Sequence, residues 1–358
     1  MPSKPETIVF RFEFETPVRF GGGKGASGLD QAAMTASSDS MFAALCLEWL
    51  QLHGEASLTE LVNEVKNGHL QFSSLMPWHL PLSQNAEPEY YLPRPLLSGQ
   101  SAAGPRNTQI KKQLKQIPWI AASEMAKYLA FVRTGEGEPT AFRSAFGMEV
   151  AWDRVNTRTG GDPEPYRVVA WQFKRDYNQA DGAKSQKTLR DQPQMISGLY
   201  WIVRSESSQL LEQIREVLES LGQSGVGGKT SSGLGKFFLC NDQLNVSRSG
   251  RALESMLDDT SAPVQMLIST AAPDSDHDLA TIEQPESRYL LVKREGFAAS
   301  PAFVDPSSGN ALKRKSCILI KEGSCFPKRL KGQVLDLSYG GLHPVYRSGV
   351  AMHVGLAL

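Results

Sequence analysis

A glycine-rich segment constrains the fold of this chain more than any other part of the sequence. Six of the fifteen residues from 222 to 236 are glycines, and lysine and hydroxyl residues lie among them. Apolar residues at helical spacing precede the segment over 207–221, and an aromatic and apolar run at 237–239 predicts a strand after it. The segment therefore joins a helix to a strand.

This glycine loop (residues 222–236) has the composition of a phosphate-binding loop. Backbone without side chains lets successive N–H groups approach phosphate oxygens, and Lys229 and Lys236 add positive charge. A Walker A loop is excluded, because it runs from strand to helix and needs glycine where Gln223 stands. A GxGxxG motif is excluded because Thr230 occupies the place of its third glycine. We expect phosphate binding without nucleotide hydrolysis, the alternative being an ordinary surface loop.

Periodic patterns elsewhere predict a split βαβ arrangement. Apolar residues alternate over 8–14, which predicts a strand with one buried face, and helical spacing follows over 41–52. Prolines interrupt 53–150, which we interpret as an insertion, and strands at 166–173 and 196–204 form a candidate hairpin. The order βα, insertion, ββαβ predicts an α+β, ferredoxin-like domain. Strand patterns from 264 onwards predict a second, mostly β domain.

Charge is distributed unevenly along the chain. Its 358 residues suffice for two domains, and 38 Lys or Arg balance 38 Asp or Glu, which gives no global signature of nucleic-acid binding. From residue 288 to the end, however, eleven Lys or Arg face four Asp or Glu. The clusters at 293–294 and 313–315 attract anions, although such clusters are also typical of a solvated surface.

No residue pattern predicts a metal centre. The four cysteines lack CxxC spacing, and the acidic stretch 274–278 lacks the glycine and glutamate of an EF-hand. Asp30 could hold a metal over a phosphodiester or be an ordinary loop residue, whereas Asp39, within Ser38–Ser40, is interpreted as a helix cap.

Any of the six scattered histidines could act as the general acid or base of a ribonuclease. We expect no cofactor, no export signal, no membrane span and a cytoplasmic protein.

Several short motifs, taken in their order, resemble the RAMP proteins of CRISPR systems, and more narrowly the fourth subunit of the type III-A (Csm) effector complex. Each motif is weak alone, but together they run along most of the chain. They are Phe20-Gly21, the stretch 38–45, the stretch 91–95, the end of the glycine loop at 233–237, and the stretches 290–297, 313–315, 321–324 and 343–349.

The resemblance implies two ferredoxin-like (RRM-like, RAMP) domains: residues 1–243, with an insertion at about 53–160, and a modified domain at 244–358. It implies a non-catalytic subunit that grips the repeat-derived 5′ tag of the CRISPR RNA near target RNA. The same subunit docks on a large polymerase-like subunit and a backbone RAMP subunit. A protruding thumb hairpin is expected at 153–166 or 174–194. The residues expected to contact RNA are Gly225, Gly227, Gly228, Lys229, Thr230, Ser231, Ser232, Gly233, Gly235, Lys236, Lys24, Lys293, Arg294, Lys313, Arg314 and Lys315.

Two rival functions remain open at this point. One is a RAMP-type endoribonuclease that uses Asp30 or a histidine on target or precursor RNA. The other is a β-rich protein that binds a small phosphate compound.

Overall fold

Helices and strands alternate along the chain, as its mixed periodicities predict. The computed structural model describes residues 5–21, 31–83, 85–97, 108–156, 164–175, 195–242, 244–298, 300, 302–305, 307–338 and 343–357. The strands are β1 (Glu6–Phe14), β2 (Phe20–Gly21), β3 (Ala32–Ala33), β4 (Leu70–Phe72), β5 (Met76–Pro81), β6 (Glu89–Pro93), β7 (Trp119–Ala121), β8 (Gly147–Asn156), β9 (Glu164–Phe173), β10 (Met195–Ser205), β11 (Phe237–Asp242), β12 (Val264–Leu267), β13 (Leu291–Arg294), β14 (Cys317–Ile320), β15 (Cys325–Phe326), β16 (Gly332–Asp336), β17 (Tyr346–Val350) and β18 (His353–Leu356). The helices are α1 (Ser38–Lys66), α2 (Thr108–Lys115), α3 (Met125–Thr134), α4 (Ser208–Ser224), α5 (Arg248–Asp258) and α6 (Asp276–Ile282). The expected α+β class is confirmed.

The largest sheet is built around β1 and β10. Its strand order is β11–β1–β10–β5–β6–β7, and β4 pairs with one end of β10. β1 pairs antiparallel with β10, Phe10 opposite Trp201, and with β11, Phe12 opposite Leu239. The order β11–β1–β10–β5 is the one that a split βαβ connection produces.

The alternation of β1 divides its side chains between two cores. Phe10 and Phe12 pack on one face against α1 and α4, where Phe42 and Ile214 are fully buried. Val9 faces the other way, into a core that α5 and the C-terminal strands complete. The two regions predicted as separate domains therefore share buried apolar surface.

The predicted helices are confirmed, and both are longer than their patterns indicated. α1 continues beyond residue 52 to Lys66, with a break at Gly54, whose φ is 80° and ψ is 178°. Ser207 caps α4 by accepting a hydrogen bond from the Leu210 N–H at 3.2 Å. Much of the segment interpreted as an insertion lies inside the fold, since β4 to β7 belong to the main sheet.

The predicted hairpin of 166–173 with 196–204 is wrong. β9 pairs with β8 over its whole length, and β10 lies inside the main sheet. The reason is that β10 is apolar and buried on both faces, as a central strand must be. The thumb candidate 153–166 falls on the end of the β8–β9 hairpin, whose residues 157–163 lie outside the described residues. Most of the other thumb candidate, 174–194, also lies outside the described residues, which end at 175 and resume at 195. The position of the thumb stays a prediction.

The C-terminal region consists of small sheets. β12 lies between β15 and β18, while β13–β14 and β16–β17 form two-stranded ribbons. None of the helices in the described segments combines the length and the apolar character needed to cross a bilayer.

Candidate nucleic-acid interface

The glycine loop is a folded element with both arms fixed to one neighbouring segment, residues 15–19. The N–H of Gly228 donates to the carbonyl of Arg19 at 2.7 Å, and the N–H of Gly235 donates to the carbonyl of Pro17 at 2.9 Å. Across the loop, the Val226 N–H donates to the Gly235 carbonyl at 3.0 Å. The loop is therefore held at both arms, while the phosphate binding expected from its composition stays a prediction.

Three of the loop glycines are required by this close packing. A Cβ atom added to Gly225 or Gly227 would lie 2.6 Å from a carbonyl oxygen, and one added to Gly235 would lie 2.0 Å from the carbonyl oxygen of Val226. All three also have positive φ, which L-residues with side chains rarely adopt. Their bare backbone is thus explained by internal contacts, which differs from the phosphate approach expected from the sequence.

Gly233 is different. Its φ is +83°, but an added Cβ would meet no atom within 4 Å, because the residue faces open space. It closes a single 3₁₀ turn, Thr230–Ser232, at the tip of the loop. Within the described part of the chain, only the φ of Gly233 favours glycine, and no neighbouring atom excludes a side chain.

The loop tip presents hydrogen-bond donors of several kinds. In the described part of the chain, the N–H groups of Thr230 and Ser231 have no acceptor, as is usual for the first residues of a helical turn. The side chains of Ser231 and Ser232 are exposed. The ammonium of Lys229 lies over the ring of Tyr166 on β9, 5.3 Å from the ring centroid, in a cation–π contact. Such a group of donors suits the anionic oxygens of a phosphate.

Lys229 itself holds an unusual backbone conformation. Its φ is 65°, in the left-handed region that costs an L-residue about 1–2 kcal/mol. Two hydrogen bonds hold this conformation: the Lys229 carbonyl accepts from the N–H groups of Ser232 at 2.9 Å and Leu234 at 3.4 Å. Leu234 is in turn buried against Val168 and Ala170 of β9. The loop therefore rests on the β8–β9 hairpin as well as on residues 15–19.

The basic clusters of the C-terminal region separate into outward and inward side chains. Lys293, Lys313 and Lys315 are exposed, although Lys293 pairs with Glu295 at 2.6 Å. Arg314 turns inward and donates to the carbonyls of Phe297 and Glu295, and burial lowers its pKa. Lys236, at the end of the glycine loop, is half-buried, and its N–H donates to the Thr16 hydroxyl at 3.0 Å. Lys24, the remaining predicted contact, lies outside the described residues.

Arg294 also turns inward, toward the start of α1. Its guanidinium lies 3.2 Å from the fully buried carboxylate of Asp39 and also donates to Ser37. Arg347 approaches the same carboxylate at 3.5 Å and donates to the Asp39 carbonyl at 3.0 Å. Asp39 thus ties α1 to the C-terminal region. Its interpretation as a helix cap is wrong, since Ser37 holds the cap position and Asp39 lies inside the first turn.

The acidic stretch 274–278 is structural. Asp278 is buried and accepts hydrogen bonds from the N–H groups of Asp274, Lys331 and Gly332 at 2.9–3.1 Å. Burial alone would raise the pKa of Asp278, but these donors outweigh it and lower the pKa. The described residues hold no group of three or more His, Cys, Asp or Glu side chains suited to a metal ion.

Sequence reasoning missed a polar cavity of about 460 Å³ at the far end of β9. His79, Tyr91, Arg143 and Lys174 are among its lining residues. The Tyr91 hydroxyl lies 3.2 Å from Nδ1 of His79, and burial together with the charge of Lys174 lowers the pKa of His79 to about 4. Only the stretch 91–95 marked this region in the sequence, because the lining residues come from several separate stretches of the chain.

Comparison with known proteins gives consistent matches. A family model described as the CRISPR Csm4 C-terminal domain matches residues 260–356. The protein "CRISPR system Cms protein Csm4" of Mycobacterium tuberculosis (strain ATCC 25618 / H37Rv) is 28% identical, covering 94% of this chain and 94% of that protein. The protein of the same name from Streptococcus thermophilus is 24% identical, covering 87% and 88%.

Solved structures share the fold. A chain of the Csm3-Csm4 subcomplex of the type III-A CRISPR-Cas interference complex superimposes with a TM-score of 0.56 at 12% identity, covering 98% of this chain and 99% of that one. A chain of the Csm1-Csm4 cassette in complex with cA4 gives a TM-score of 0.55 at 16% identity, covering 99% of each. The resemblance stated from the sequence motifs is confirmed by these matches.

Proposed function

We propose that this chain, which belongs to the Csm4 family of type III-A CRISPR proteins, is the subunit that anchors the repeat-derived 5′ tag of the CRISPR RNA. In this proposal it also docks a large polymerase-like subunit and a backbone RAMP subunit of the Csm effector complex. It performs no chemistry of its own. Target RNA pairs with the guide nearby.

The tip of the glycine loop is the observation that carries the RNA role. Exposed hydroxyls, one ammonium and two N–H groups without an acceptor among the described residues lie together there, on a loop whose arms are hydrogen-bonded to residues 15–19. Donors fixed in advance lose little conformational freedom when a phosphate binds. The cation–π contact with Tyr166 holds the ammonium of Lys229 near these donors. A single-stranded tag presents its phosphates to groups of this kind.

The docking role is supported by the relatives. The two solved structures with this fold are complexes of Csm4, with Csm1 in one case and with Csm3 in the other. A subunit at the junction of two partners needs surface for both in addition to its RNA surface.

The absence of a catalytic role is supported by the surroundings of two candidates, Asp39 and His353. Asp39 is enclosed between two arginines and so is not directed at a substrate. His353 is fully buried and accepts a hydrogen bond from the Leu330 N–H, and burial lowers its pKa to about 3. Neither arrangement suits proton transfer to RNA near neutral pH. Asp30 lies outside the described residues and is left to experiment.

Sequencing of RNA that co-purifies with this chain from its native host tests the proposal. We expect a population with one common 5′ end derived from the CRISPR repeat. Random 5′ ends in a well-assembled complex would contradict tag anchoring. The endoribonuclease alternative is tested in parallel, because it requires RNA cleavage by the purified chain that disappears in Asp30→Ala.

A further inference from the structure

The β13–β14 ribbon displays an unusual concentration of exposed apolar side chains. Leu291 and Ile318 are each 60% exposed, Leu290 is 52% exposed and Phe297 is 55% exposed. The register places Lys293 opposite Ile318, so Leu291, Lys293 and Ile318 lie on one face of the ribbon. Single exposed apolar residues are ordinary, but a contiguous group of this kind marks an interaction surface.

The outer edge of β13 is free to pair. Among the described residues its only partner strand is β14. Ile320 exchanges both of its backbone hydrogen bonds with Ala271, on the side of β14 away from β13. Leu291 and Ile320, which lie opposite each other, therefore form a non-hydrogen-bonded pair. Because hydrogen-bonded and non-hydrogen-bonded pairs alternate in an antiparallel ladder, Lys293 and Ile318 form a non-hydrogen-bonded pair as well. The N–H and C=O groups of Leu291 and Lys293 therefore point away from β14, and they have no hydrogen-bond partner among the described residues.

The ribbon is held firmly from its inner face. Leu319 is fully buried, and Arg294 binds the buried carboxylate of Asp39 at the start of α1. A rigid edge with unsatisfied backbone groups is a ready template for another strand. A loose hairpin would instead pay for ordering when it bound.

Charge around this edge has one dominant sign. Lys293, Lys313, Lys315 and Lys321 are exposed, and the connection between β13 and β14 holds two acidic residues, Glu295 and Asp305. A partner with acidic residues beside an apolar strand is complementary to this surface.

We propose that the outer edge of β13 pairs with an extended segment of a neighbouring protein subunit. The segment places apolar side chains against Leu291 and Ile318 and acidic side chains near the lysines. This inference rests on the proposed docking role and assigns it a site. RNA fits the edge less well, since phosphates cannot use outward C=O groups, and Leu and Ile offer neither stacking nor hydrogen bonds. Lys293 and Lys313, predicted from the sequence to contact RNA, then lie at a protein interface.

Proline at position 293 tests the pairing directly. Lys293→Pro removes an N–H that points outward and leaves the bonds between β13 and β14 intact, a position where edge strands tolerate proline. Lys293→Ala is the matched control, because it removes the same side chain and keeps the N–H. Binding of each full-length variant to the purified large subunit and to the backbone RAMP is measured by surface plasmon resonance. We expect the proline variant to bind one of them at least tenfold more weakly and the alanine variant to stay within threefold of wild type.

A second variant removes any dependence on how well proline is accommodated. Leu291→Gln with Ile318→Gln changes two exposed side chains without adding charge, so folding should be retained, and a loss of partner binding is again expected. Binding of tag RNA should stay within twofold of wild type in all variants. Loss of RNA affinity with normal subunit binding would overturn the inference and make the ribbon an RNA surface. Normal binding of RNA and both subunits would also overturn it, while failure of the wild-type chain to bind either subunit would instead refute the docking role itself.

Discussion

Replacing Gly233 by alanine separates the RNA role of the glycine loop from its folding role. The added methyl group would meet no atom within 4 Å, so its cost to stability comes from the φ of +83° alone. Left-handed backbone costs an L-residue about 1–2 kcal/mol, and alanine recovers part of this by restricting the unfolded chain. We expect Gly233→Ala to lower the free energy of unfolding by about 1 kcal/mol.

The RNA affinity should fall by more than this cost explains. If the tag backbone passes over the loop tip, the methyl group occupies the space of approach, and we expect at least fivefold weaker binding, about 1 kcal/mol. Gly68→Ala is the matched control, because Gly68 has φ +80°, no atom within 4 Å of an added Cβ, and a position at the end of α1. It should show the same loss of stability and unchanged RNA binding.

Urea denaturation and filter binding of tag RNA at fixed salt measure the two quantities for each variant. Gly235→Ala provides the opposite extreme, since its methyl group would lie 2.0 Å from a carbonyl oxygen and should cost about 3 kcal/mol or more through strain and overpacking. The reasoning is refuted if Gly233→Ala binds RNA as wild type does. It is also refuted if Gly68→Ala weakens binding equally.

Three further outcomes are expected. Lys229→Gly relieves the strain at φ 65° and removes one cation, so stability should stay within about 1 kcal/mol while the slope of log K against log salt falls by about 0.7; an unchanged slope would exclude Lys229 from the RNA. Asp39→Asn leaves two arginines without their buried carboxylate and should cost about 3 kcal/mol in urea unfolding. RNA cleavage by assembled complexes that carry it should stay within twofold, and loss of a defined cut would make this chain a nuclease subunit. Burial lowers the pKa of His353 to about 3 in the folded protein against about 6.5 unfolded, so its contribution to stability is complete above pH 6.5 and is lost as the pH falls. At pH 5 the part of the loss due to His353 should be about 2 kcal/mol, so His353→Gln should lose about 2 kcal/mol less than wild type; the same pH dependence in that variant would contradict the assignment.

Local burial made the elements of the main sheet predictable. The alternation in β1 and the helical stripe of α4 record which side of each element faces the core, and this information lies within a few residues. Chain order then restricted the topology, because few arrangements satisfy a βα unit followed by ββαβ. The partner of β9 was missed because pairing between strands depends on which sheet has a free edge, and sequence periodicity does not report that.

The candidate site was predictable in composition and not in geometry. The six glycines identified the loop, but they looked alike in sequence, and only the backbone shows that Gly235 serves packing while Gly233 faces open space. The basic clusters were identified too, yet Arg294 binds a carboxylate 255 residues away, and Lys293, its neighbour in sequence, faces outward. The alternation of β13 separates the two side chains, and no local signal names Asp39 as the partner.

Photo-crosslinking within the assembled complex tests the central claim most directly. CRISPR RNAs carrying one photoreactive nucleotide at successive positions of the 5′ tag are assembled with all subunits, irradiated, and the crosslinked peptides are identified by mass spectrometry. We predict crosslinks from the tag to residues 227–236 of this chain, and none to this loop when the photoreactive nucleotide lies in the middle of the guide. Tag crosslinks confined to other subunits, or to this chain away from the glycine loop, would contradict the account.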